Sequence, residues 1–62
     1  MKNKLREIRF FRKMRQIDLS RISGMNTARI SYIEKEAVEP RQDEMEKLGR
    51  VLKLKIEEIF PT

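Results

Sequence analysis

The chain is predicted to be all-α, a compact bundle of five short helices forming one domain over residues 1–62. Three observations carry this. Apolar residues recur three and four positions apart, the helical period, and strand-like alternation appears nowhere. Helix breakers are scarce, with two glycines and two prolines in the chain. With 62 residues and no cysteine, stability must come from helix packing or a second subunit.

Leu5, Ile8, Phe11 or Arg12, and Met14 mark a first helix over residues 2–14. A second covers 16–23 and stops at a tight turn on Gly24. Asn26 is placed to cap the third, because its side-chain oxygen accepts an amide of the first turn. That helix runs from 27 to 34 or 35, so the second and third form a helix-turn-helix. Residues 36–41 are a loop, and Pro40 marks the approach to the fourth helix. Asp43, Glu44 and Glu46 lie near its amino end, where the helix dipole favours negative charge. Its inner stripe is Met45, Leu48, Val51 and Leu52. A last helix over 56–60 carries Ile56, Ile59 and Phe60 and is stopped by Pro61. The expected core comprises Leu5, Ile8, Met14, Leu19, Ile22, Met25, Ile30, Ile33, Met45, Leu48, Leu52, Leu54, Ile56 and Ile59. Phe10 and Phe11 are neighbours and cannot both face inward; Phe11 is expected to do so, leaving Phe10 as an apolar spot for a partner.

The net charge of +5 is unevenly placed: +6 over residues 1–15, +1 over 16–33 and −2 over 34–62. A basic amino-terminal half suits a polyanionic partner or is a solvated surface. No apolar run resembles a signal peptide or a membrane span, so a cytoplasmic protein is expected. Enzymatic work is not expected. Histidine and cysteine are absent, no glycine-rich phosphate loop is present, and the acid pairs Asp43-Glu44 and Glu57-Glu58 are adjacent rather than converging. No catalytic residue, metal site or cofactor is therefore assigned.

The segment from Gln16 to Glu34 is the most informative. Leu19, Met25, Ile30 and Ile33 would lock one helix across the other, leaving a face of the second free to enter a major groove. With Arg9, Gln16, Leu19, Ser20, Gly24, Ile30-Ser31-Tyr32-Ile33-Glu34, Pro40 and the closing Leu52–Phe60 in order, the chain resembles the Cro/cI-type helix-turn-helix family (XRE, lambda-repressor-like). The resemblance covers about Leu5 to Phe60. It departs where Arg15 replaces a capping Thr or Ser, where Glu36 replaces the glycine after the third helix, and where Gly49 replaces a common alanine. A Glu at φ > 0 carries a steric cost, and Gly49 loosens a helix by roughly 1 kcal/mol relative to alanine.

The resemblance implies sequence-specific binding of double-stranded DNA by a small transcriptional regulator, a repressor dimeric on an inverted repeat. It puts Thr27, Ala28 and Tyr32 at base-contact places, with Arg29 on the flank, able to fork onto a guanine or grip a phosphate. It gives Gln16 a phosphate and pairs Arg9 with Glu34 to orient the reading helix. Arg15, Asn26, Ser31, Lys35 and Arg41 are further candidates for backbone contacts, the cations because they displace condensed counterions. A homodimer interface is expected from Ile56, Phe60, Pro61 and Thr62, with Phe10 as a possible addition. The alternatives are a protein-interaction module of the same fold, such as an antitoxin, or a restriction–modification controller protein.

Overall fold

A computed structural model describes residues 3–61. Five helices follow in order: α1 (Leu5–Phe11), α2 (Gln16–Ser23), α3 (Thr27–Glu34), α4 (Gln42–Leu52) and α5 (Ile56–Ile59), with no strand among the described residues. Leu5, Leu19, Met25, Ile30, Ile33, Leu48, Leu52, Ile59 and Phe60 form one buried cluster, so every helix contributes to a shared core. Ile8, Met14, Val38, Met45, Val51, Leu54 and Ile56 pack around it, partly buried.

Helix boundaries follow from their caps. α1 is shorter than its apolar pattern predicts. Asn3 Oδ1 accepts from Leu5 N at 3.1 Å at its start, and Lys13 turns left-handed (φ 56°) after its end. Met14 N then donates to Arg9 O and Lys13 N to Phe10 O, both at 2.9 Å, a Schellman closure. The same closure ends α3 through Glu36 (φ 60°) and α4 through Lys53 (φ 59°). None of these three left-handed positions is a glycine, so each carries side-chain strain. Glu36 is tied in addition: its carboxylate accepts from Asn3 N at 2.9 Å. Gly24 (φ 73°) supplies the one left-handed glycine, in the turn between α2 and α3.

Several orientations differ from the expected ones. Phe11 is 87% exposed rather than inward. The inward stripe of α1 is Leu5 and Arg9, with Ile8 at its edge, and Phe11 lies beyond the rim of the core. Phe10 is also exposed, but it lies under guanidinium groups, with Arg9 Cζ 4.7 Å and Arg6 Cζ 5.3 Å from its ring centre. Ile22 is 51% exposed because α2 turns Leu19 and Ser23, four apart, to the core. Phe60 is buried and is therefore removed from the expected dimer surface; Thr62 lies outside the described residues.

Gly49 is a structural requirement rather than a loosened alanine. A Cβ there would sit 2.9 Å from the Leu54 carbonyl oxygen, where the chain turns from α4 into α5 and Leu54 N bonds Gly49 O at 2.9 Å. The contacting atom is backbone, so it cannot step aside as a flexible side chain would.

Candidate DNA-binding surface

α3 is short and weakly helical on its own, since an isolated helix of eight residues does not persist in water. Its neighbours hold it. Asn26 Oδ1 accepts from Ala28 N at 2.8 Å and caps its start. Ile30 and Ile33 anchor its inner side. Ser20 Oγ donates to Met25 O, and Met25 N donates to Ser23 Oγ at 3.2 Å, which ties the turn to α2.

Two ion pairs brace it. At its carboxyl end Arg9 donates to Glu34 through Nε at 2.7 Å and Nη2 at 3.1 Å. The remaining Arg9 Nη1 donates to Met14 O at 2.9 Å, and Gln16 Nε2 donates to Glu34 Oε1 at 3.0 Å. α1, α2 and α3 thus meet at one carboxylate. The second brace joins α3 to α4: Arg29 donates to Glu44 through Nε at 2.8 Å and Nη2 at 2.9 Å. Glu44 Oε1 also accepts from Arg41 N at 2.8 Å. The Arg29 hydrogen bond, chiefly, holds the Glu44 carboxyl below its ordinary range, and the same bond raises Arg29. The sequence places Glu44 at a helix amino end, and the fold buries it there against Arg29. No buried side-chain polar atom among the described residues lacks a partner.

The outward side of α3 remains uncovered. Ala28 and Tyr32, one turn apart, are exposed, Tyr32 by 51%, and Thr27 and Ser31 are half-buried on its edges. Asn26 and Lys35 are exposed at the two ends. A cleft near the carboxyl end is lined by Arg6, Gln16 and Lys35 beside the Arg9–Glu34 pair. A second, near the amino end, is lined by Asn26, Arg41, Asp43 and Lys47 beside the Arg29–Glu44 pair. Cationic side chains therefore flank the exposed face at both ends. Arg6 and Lys47 were not singled out from sequence, because only the helix packing places them beside α3.

The expected phosphate-contact residues are partly engaged within the chain. Arg15 pairs with Asp18 at 3.0 Å and Arg41 with Asp43 at 3.3 Å. Both arginines are exposed, so these pairs are weak and exchange readily with another anion. The carboxylate of Asp18 accepts from Arg15 N at 2.8 Å, so α2 is capped from its third position although Arg15 itself cannot accept a bond. The Arg15 side chain, first, and its backbone amide hold the Asp18 carboxyl down at about 2.

Among the described residues no acidic, His or Cys cluster is suited to a metal ion, and no helix is long and apolar enough to cross a membrane. No curated protein matches the chain. A family model described as helix-turn-helix matches residues 5–59, from the first residue of α1 to the last of α5. The chain belongs to the XRE, Cro/cI-like helix-turn-helix family of DNA-binding transcription regulators.

Proposed function

We propose that the protein is a sequence-specific double-stranded DNA-binding regulator, acting as a repressor in the cytoplasm by occupying an operator. The observation that carries this reading is the face of α3. It is rigidly braced from behind, uncovered in front, and flanked by cationic clefts at both ends. Thr27, Ala28 and Tyr32 are the base-facing groups; Gln16, Asn26, Ser31 and the flanking cations Arg15, Lys35 and Arg41 follow the sugar–phosphate chains. Arg6 and Lys47 join that set from their positions in the clefts.

One such domain spans too few base pairs for useful specificity, so two copies on half-sites about one helical turn apart are proposed. With Phe60 buried, half-buried Ile56 and Pro61 remain for a contact between copies. Selection of bound sequences from a random duplex pool tests both statements. An enriched inverted repeat is expected, and binding should weaken steeply as salt rises. Binding insensitive to salt, without enrichment, would overturn the reading.

A second reading, a protein-interaction module, is favoured by one observation. Phe11 projects beside Ile8 and Leu54 in a shallow apolar groove edged by Lys4, Glu7 and Arg12. A stoichiometric protein partner retained on purification from native cells, with no enriched duplex, would support it.

A further inference from the structure

The exposed face of α3 offers the single hydroxyls of Thr27, Ser31 and Tyr32 but no unengaged arginine fork. Arg29 is the one guanidinium on the helix, and its Nε and Nη2 are held by Glu44 at 2.8 and 2.9 Å. Nη2 also donates to the Glu39 carbonyl at 3.3 Å. A guanine is read by an arginine that offers two N–H groups together to O6 and N7. Turning Arg29 to that task would strip the Glu44 carboxylate, whose side chain is only 7% exposed, of both guanidinium hydrogen bonds, leaving the Arg41 amide at 2.8 Å and the Arg41 guanidinium at 3.7 Å. The carboxamides are partly engaged: Asn26 caps the Ala28 amide through Oδ1 and Gln16 donates to Glu34 through Nε2, and each keeps its other polar atom for the phosphates. What faces outward is the Ala28 methyl, the Tyr32 ring one turn later, and Thr27 at the edge.

On the reading that this face enters the major groove, we infer that it selects thymine through its C5-methyl group, with Arg29 a positioning residue rather than a base contact. Ala28 has no side chain beyond Cβ, so a base methyl can come close to the helix there. The Tyr32 ring supplies a second apolar wall. Thymine is the one base that presents a methyl in the major groove. A guanine or adenine presents paired polar groups, which the single hydroxyls on this face meet one at a time rather than as a bidentate fork. Burial of one methyl against Ala28 and Tyr32 corresponds to a severalfold preference at each contacted position.

The test uses the wild-type protein and its best duplex from the random pool. Each thymine is replaced in turn by deoxyuridine, which deletes the methyl and keeps every hydrogen-bonding group. A threefold to tenfold loss of affinity is expected at one or two positions in each half-site. In a parallel selection, Arg29→Lys, which keeps the charge, should leave the preferred bases unchanged. Thymines replaceable everywhere without loss would overturn the inference, as would a preferred guanine that disappears with Arg29→Lys. A pool with no enrichment overturns it as well, and salt-dependent binding to a random duplex then shows whether DNA binding itself still stands.

Discussion

The two ends of α3 are held by ion pairs of the same chemistry in different settings. Arg9 and Glu34 are 8% and 3% exposed, whereas Arg29 and Glu44 are 31% and 7% exposed. Every guanidinium nitrogen of Arg9 has a partner, and three helices share the Glu34 carboxylate. Arg29 joins α3 to α4 and to the Glu39 carbonyl in the loop between them, and keeps one edge near solvent. The first pair is therefore part of the fold itself, since a lone charge left there is largely shielded from water. The second pair sets the pose of one helix and can be altered while the domain survives.

Removing one partner of the inner pair has the largest expected effect. Glu34→Ala should destabilise by about 3–5 kcal/mol, because Arg9 is left buried and uncompensated. In a domain of this size that removes most of the stability. A denaturant melt measures it, and a loss near zero would break the comparison.

The outer pair should cost less. Glu44→Ala is expected to lower stability by about 2 kcal/mol, the range for hydrogen bonds to a charged group, and to leave a cooperative melt. A loss as large as that of Glu34→Ala would erase the distinction drawn here. The outer pair also carries acid sensitivity. The Glu44 carboxyl is lowered in the folded state from 4.5, so its contribution is complete above that value and is lost as pH falls through the lowered one. Asp18, lowered from 3.8 to about 2, adds to the same slope at lower pH. Melting temperature should therefore fall with pH below about 4.5, and Glu44→Gln should flatten the upper part of that fall. An unchanged slope in Glu44→Gln would assign the sensitivity elsewhere.

The α4–α5 corner, away from both braces, sharpens the contrast through backbone rather than charge. Gly49→Ala should destabilise by about 1–2 kcal/mol despite the better helix propensity of alanine, since its Cβ meets the Leu54 carbonyl. Lys53→Gly, four residues on, should stabilise by roughly 1 kcal/mol by relieving a left-handed lysine. Matched thermal melts compare the two, and a stabilising Gly49→Ala would mean that the corner relaxes without cost.

The parts of the fold governed by local rules were legible in the chain. The helix-turn-helix, the Asn26 cap, the loop before α4 and the stop at Pro61 each follow from neighbouring residues. What depended on how helices cross was not. Phe11 and Ile22 have the spacing of inward residues, but the helices turn Arg9 and Ser23 to the core instead. Phe60 reads equally well as a tail residue or a core residue until α5 is docked. Glu44 resembles any acidic residue in a first turn, and only α3 lying beside it reveals the pair with Arg29. Gly49 breaks the local rule of helix propensity, and the reason for it is a carbonyl five residues ahead. At the candidate site the exposed positions Ala28 and Tyr32 could be placed by helical period, whereas the engagement of Arg29 could not.

The most direct measurement is a titration of isotope-labelled protein with its selected duplex, read amide by amide by NMR. The largest shifts are expected across Thr27, Ala28, Ser31 and Tyr32, with Gln16, Arg41 and Arg6 next and a smaller one at Ile56 where two copies meet, while Phe11 and Leu54 stay nearly unchanged. Shifts centred on Phe11 and Leu54, with the α3 face unaffected, would contradict the account.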